Sequence, residues 1–192
     1  MLEYFGVATG LLYTALEIRQ HPLMWVVGFV TSLIYVFVFF SAKLYADMGL
    51  QAYYVLISIY GFWLWTKTNP SKEEATPVAG GIAYCHANVW VLVRIVVGII
   101  AIHFGLYYLL VVFTDSPIPM GDAFITAVGI VATWMLAHRI IEHWYLWIIA
   151  NAVSIYIYYL RDLYPTMFLY LCYTLLAVAG LYTWIKKGTE NR

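Results

Sequence analysis

The chain is a succession of long apolar runs, each ended by a short cluster of charged or turn-forming residues. Runs of about 18 to 25 residues that stay apolar on every side have the pattern of helices crossing a bilayer, not of amphipathic surface helices or half-buried strands. Seven are predicted here, at residues 2–18, 22–41, 49–66, 89–113, 121–138, 143–160 and 164–186. The first has a short apolar core, because Glu3 and Glu17 stand near its ends. The stretch between the third and fourth, TKTNPSKEEATPVAGGIAYCHAN, is rich in Pro, Gly and charge and reads as an exposed loop.

The pattern also repeats. LYADMGLQAYYVLISIYGFWLW, Leu44 to Trp65, recurs 119 positions later as LYPTMFLYLCYTLLAVAGLYTW, Leu163 to Trp184, with 8 of 22 positions identical and no gap. Further back, Trp25 and Ser32 of the second helix match Trp147 and Ser154 of the sixth at an offset of 122, with three residues dropped between, which sets Phe29 opposite Asn151. The expected fold is an all-α integral membrane protein whose seven helices form parallel 3+1+3 repeats. Its parts are a first bundle at 1–66, a cytoplasmic loop at 67–88, a linker helix at 89–113 and a second bundle at 121–186, within one membrane domain. Tyr60 and Trp63 of the first copy answer to Ala179 and Tyr182 of the second, so a single asymmetric site is expected.

Composition agrees with the pattern. The chain is 64% hydrophobic and 10% charged, with a mean hydropathy of +0.81, against about 25% charged residues in a soluble domain. Its 192 residues leave almost no soluble mass, which argues against an extramembrane ligand domain. A net charge of zero offers no basic surface for nucleic acid. With the C-terminus inside, Arg19, Lys67, Lys72, Arg94, Arg139, Lys186, Lys187 and Arg192 face the cytoplasm, 8 of the 10 basic residues. The positive-inside rule therefore predicts an outside N-terminus and an inside C-terminus in the inner (cytoplasmic) membrane. The start, MLEYFGVATG, lacks the basic beginning of a signal peptide and runs straight into a span. Cys85 and Cys172 lie in a loop and in a span, without Cys-x-x-Cys spacing, so neither a disulfide nor a metal or other cofactor is expected.

Polar residues within spans carry the candidate chemistry, because each is costly in lipid. In the sixth helix Trp144, Trp147, Asn151, Ser154 and Tyr158 share one face, and in the third Gln51, Tyr54, Ser58 and Gly61 do so, near Trp63 and Trp65. The fifth helix adds Thr126 and Thr133. Aromatic faces and amides suit a small cation containing a flat ring. Trp25, Trp65, Trp144 and Trp184, near span ends, read as interfacial anchors, and Ser58, Ser154 and Thr126 as helix-packing residues. Asn151 lies mid-span and reads as a ligand. The cluster HRIIEH offers an inner gate through Arg139 and Glu142, or simply a solvated turn, and His103 reads as a packed histidine.

No acidic residue is expected at mid-span and there is no GxxxxGK[ST] loop, which leaves passive facilitated transport as the simplest mechanism. An intramembrane enzyme would need a nucleophile with its base or a metal-ligand pair, and no such pair is visible. A structural membrane subunit stays open, although the internal repeat argues against it.

Two long motifs, LYADMGLQAYYVLISIYGFWLW and DAFITAVGIVATWMLAHRIIEHWYLWIIANAVSIYIYYLRDLYPT, resemble the PnuC-type vitamin transporters. The second holds the E-x-W-x-x-W-x-x-x-N run of Glu142, Trp144, Trp147 and Asn151. The resemblance covers nearly the whole chain. It implies a SWEET-like 3+1+3 fold, a homotrimer, and downhill passage of a B vitamin that a cytoplasmic kinase then traps. It also implies a substrate pocket formed by Gln51, Tyr54, Tyr60, Trp63, Thr133, Trp147, Asn151, Tyr158 and Tyr173. Members carry nicotinamide riboside, thiamine or riboflavin. The nicotinamide riboside pattern has Gln where this chain has Thr133, which raises thiamine as the alternative to nicotinamide riboside.

Overall fold

Helix α1 spans Leu2–Ile18, α2 Leu23–Ser41, α3 Tyr45–Lys67, α4 Val89–Phe113, α5 Pro119–Ala137, α6 His143–Leu160 and α7 Tyr164–Lys187, in a computed structural model that describes residues 2–41, 43, 45–67 and 82–190. Four of them, α2, α4, α5 and α7, are each long and apolar enough to cross a membrane unaided. The others are α1, of 17 residues, and α3 and α6, which carry the polar stripes. Helix α3 starts four residues before its predicted position, with Asp47 in its first turn, where a carboxylate meets the positive end of the helix dipole. Helix α5 starts two residues early, at Pro119, a position where the missing N–H costs nothing.

Part of the segment expected to be a loop is ordered. Strand β1, Ile82–Tyr84, pairs with β2, Gly188–Glu190, in a two-stranded sheet, and Gln20 braces β1 by donating from Nε2 to Ala83 O at 2.6 Å and accepting from Ala83 N–H at 3.1 Å. Residues 68–81 of the predicted loop lie outside the described residues.

The chain forms two compact units. One is drawn from Met1–Ala83 with Thr183–Thr189; the other comprises Tyr84–Tyr182 with the last residues. In the first, α2 packs on α1 and α3; in the second, α5 packs on α4 and α6. Helix α4 thus belongs with the helices that follow it.

The backbone repeats bond for bond at an offset of 119. Gln20 N–H donates to Glu17 O and His21 N–H to Leu16 O, and 119 residues later Arg139 N–H donates to Leu136 O and Ile140 N–H to Met135 O. Among the described residues, the non-glycine positions with positive φ are Gln20 (50°) and Lys43 (60°), then Arg139 (56°) and Asp162 (56°), again 119 apart. Thr14 Oγ1 donates to Gly10 O as Thr133 Oγ1 does to Gly129 O. The offset of 122 expected for the second and sixth helices is therefore wrong, because the 119 register runs on without a gap. Trp25 corresponds to Trp144, Ser32 to Asn151 and Gly28 to Trp147; Phe29 is not the counterpart of Asn151.

This register explains four tryptophans. Trp25, Trp65, Trp144 and Trp184 are 1%, 4%, 1% and 0% exposed, so they are core residues and not the interfacial anchors expected. Trp25 meets Trp65 edge to face at 5.6 Å. Glycines make room for two of the rings: a Cβ on Gly61 would stand 2.5 Å from Trp25 Cε2, and one on Gly180 2.6 Å from Trp144 Cζ2. His103 packs among Phe104, Tyr107 and Phe124, as expected of a packed histidine.

Candidate functional site

In the second unit, α6 carries Trp147, Asn151 and Ser154 at one-turn spacing. Ser154 is fully buried and its hydroxyl donates back to Ala150 O at 2.9 Å, the bond of a packing residue. Asn151 is 7% exposed. One turn before it, the Trp147 indole nitrogen is buried and has no hydrogen-bond partner. An unmade indole hydrogen bond in the interior is costly, and an oxygen of a bound molecule would satisfy it. Next to it stands an amide that can both donate and accept.

The space for that indole comes from an exchange of large and small residues between the copies. In the first unit the Tyr13 ring and Ser58 Oγ close over Gly28, 3.0 and 3.1 Å from where a Cβ would sit. In the second unit those counterparts are Ala132 and Ala177, 0% and 3% exposed, and the large residue is Trp147 itself.

Thr133, on α5, is 5% exposed, and its hydroxyl hydrogen is spent on Gly129 O at 2.8 Å, so only its lone pairs remain to accept a hydrogen bond. Tyr158 stacks on Tyr170 at 5.3 Å, and Tyr170 meets Tyr173 edge to face at 6.1 Å, an aromatic ladder from α6 to α7. Tyr170 is absent from the sequence-based expectation, because it differs from its first-copy counterpart Gln51.

The other expected residues belong to the first unit. Gln51 and Tyr54 are half-buried on the face of α3 that also carries Ser58 and Gly61. Tyr60 and Trp63 stack at 6.3 Å on the opposite, exposed face, with Lys67 Nζ 4.6 Å from the Trp63 ring centre. The structure therefore does not bring Tyr60 and Trp63 together with Gln51 and Tyr54. Glu17, expected at a span end, is only 3% exposed and lies within electrostatic range of the half-buried Tyr13.

Of the two expected gate residues, Glu142 is occupied: its carboxylate meets His86 Nδ1 at 2.8 Å and accepts from Ala87 N–H at 3.1 Å. Arg139 turns the chain at positive φ, and burial holds its guanidinium below the usual arginine range, partly offset by Cys85.

A bundle of lipid-compatible helices with a buried indole donor and an amide one turn apart in its interior fits a multi-pass membrane transporter for a small polar molecule. Comparison with known proteins makes the class specific. The chain belongs to the nicotinamide mononucleotide transporter family, whose model matches residues 1–186. It is 24% identical to the nicotinamide riboside transporter PnuC of Escherichia coli (strain K12) over 209 residues, covering 99% of this chain and 87% of that protein. It is 25% identical to the riboflavin/roseoflavin transporter RibM of Streptomyces davaonensis over 183 residues, covering 95% and 83%. Its fold matches the crystal structure of the vitamin B3 transporter PnuC with a TM-score of 0.71 at 23% identity, over 96% of this chain and 80% of that one.

Proposed function

We propose that the chain is a facilitator that carries nicotinamide riboside down its gradient, with Trp147 and Asn151 reading the substrate. The observation that carries this reading is the buried, unpartnered Trp147 indole N–H one turn from Asn151. A carboxamide or ribose oxygen would accept from the indole, and the aromatic faces nearby suit a pyridinium ring. A nucleoside fits better than its nucleotide. Helices α1, α2, α5 and α6 contain no Lys or Arg, and α3 and α7 carry them only in their last turns. Helix α4 carries one, Arg94, which donates to Trp90 O at 3.3 Å. A phosphate dianion would cross such an interior without a counter-charge.

The repeated turns and positive-φ pairs support a SWEET-like 3+1+3 arrangement of parallel repeats, and the charge distribution supports an outside N-terminus and inside C-terminus in the inner membrane. Gln51, Tyr54, Thr133, Tyr158 and Tyr173 complete the proposed lining, with Tyr60 and Trp63 less central because they are exposed. Assembly as a homotrimer and trapping by a cytoplasmic kinase are further parts of the proposal, carried by the family resemblance.

Calorimetric titration of the purified protein with nicotinamide riboside, nicotinamide mononucleotide, thiamine and riboflavin tests the reading. Nicotinamide riboside should bind and the mononucleotide should not; equal binding of the two, or binding of another vitamin alone, overturns it. Thiamine is the second reading, favoured by Thr133, whose engaged hydroxyl offers acceptor lone pairs but no donor.

A further inference from the structure

The turn between α5 and α6 is fastened to the segment that leads into α4. Cys85 pairs with Ile140 as a parallel bridge: Cys85 N–H donates to Arg139 O at 3.0 Å, and Ile141 N–H donates to Cys85 O at 3.1 Å. The Cys85 thiol adds a bond to His138 O at 3.4 Å. Glu142 takes the next two residues, with Oε1 on His86 Nδ1 at 2.8 Å and Oε2 on Ala87 N–H at 3.1 Å. Asn88 follows and caps α4 by accepting from Val91 N–H at 2.9 Å. Beneath these bonds, Cys85, Ala87 and Val91 pack against Ile95, Val131, Met135 and Ile140.

The carboxylate is peculiar to the second copy. Its counterpart in the first unit is Leu23, which is 52% exposed. Every residue in the contact belongs to the second unit, and polar and apolar bonds act on the same stretch of chain, so parting it would strand backbone donors and uncover the apolar cluster together.

We propose that this contact is a permanent clamp: α4, α5 and the first turn of α6 move as one rigid body throughout transport, with Glu142 as its clasp and not a gate that parts. The proposal rests on the transport reading, and its tests are arranged to fail separately from it. Parallel-bridge partners stand within disulfide reach, so Ile140→Cys, in a Cys172→Ser background, places a thiol opposite Cys85. Oxidation should leave nicotinamide riboside uptake into vesicles within twofold of the reduced protein. Uptake lost on oxidation and regained with reductant would mean that the contact opens, and overturns the clamp.

Hydrogen exchange in the Glu142 variants judges the clasp even if the wild-type chain carries no nicotinamide riboside or the cysteine variant misfolds. In the wild-type chain, exchange at Ala87 should be the same with and without saturating nicotinamide riboside; acceleration by the vitamin counts against a permanent clamp. Glu142→Ala should speed Ala87 exchange by about tenfold, while Glu142→Gln, which keeps the acceptor, stays within about threefold. Unchanged exchange in Glu142→Ala removes Glu142 as the clasp.

Discussion

Gly180 of α7 lies against the ring of Trp144 on α6 so closely that a side-chain carbon on the glycine would stand 2.6 Å from Cζ2. Gly61 and Trp25 make the same fit 119 residues earlier. Glycine lets two helix backbones approach, and here the approach is filled by an indole. Gly180→Ala would have to displace a ring that is 1% exposed, so it should destabilise the protein by about 1–3 kcal/mol, seen as a lower melting temperature in detergent. Gly61→Ala should behave alike. Adding Trp144→Phe to Gly180→Ala should restore part of the loss, because the shorter ring withdraws the colliding edge. A Gly180→Ala protein that melts with the wild type would show that the fit is not structural.

The helices were legible in the sequence because lipid-compatible runs are long and their charged ends are sharp. The repeat was legible where its identities are dense, around Tyr54, Gly61 and Trp65 and their counterparts. Around α2 and α6 its residues mislead, because a coincidental pairing of Trp25 with Trp147 outweighs the correct one with Trp144. The decisive signal there is backbone conformation. Positive φ falls on Gln and Arg at one pair of positions and Lys and Asp at the other, residue types that share no alphabet. Asn151 stood out because an amide at mid-span is expensive, but the unmade bond of Trp147 depends on packing that only coordinates reveal. The clamp was hidden for another reason. Glu142 meets Ala87 from 55 residues away, in a segment whose composition reads as loop.

Lys43 holds φ at 60° in the turn after α2, and its side chain is exposed. An L-residue with a Cβ pays about 1–2 kcal/mol there, whereas glycine does not. Lys43→Gly should therefore stabilise the protein by about 0.5–1 kcal/mol after the added unfolded-state entropy is counted. Thermal melting of the purified variant checks this, and a drop in melting temperature would point to a role for the Lys43 side chain beyond the turn.

Trp147→Phe keeps an aromatic face and removes the orphan donor. Vitamin binding should weaken by about 1 kcal/mol, roughly fivefold, while the melting temperature holds or rises because a buried unpaired N–H is gone. Asn151→Leu should abolish binding and leave the fold intact, since leucine is tolerated among helices at this depth. Titration beside thermal melting separates the two effects. Unchanged affinity in both variants would remove α6 from the substrate site.

Burial pushes the Cys85 thiol above its usual range, Glu142 adds to the shift, and Arg139 opposes it. An acid favoured in its neutral form binds its proton more tightly folded than unfolded. Its contribution to stability is therefore complete below the unfolded thiol's pKa of about 8.5 and is lost as pH rises through the higher folded value. At pH 7.5 the thiol is protonated, and because the thiolate is the nucleophile, alkylation by iodoacetamide in a Cys172→Ser background should be slower than that of a free peptide thiol. Glu142→Gln should speed labelling by removing the negative neighbour, and Arg139→Gln should slow it. Mass spectrometry of the labelled protein between pH 7 and pH 10 gives both rates. Opposite changes in the two variants mean that charge governs Cys85; acceleration in both would mean that the turn had loosened and that access, not electrostatics, sets its reactivity.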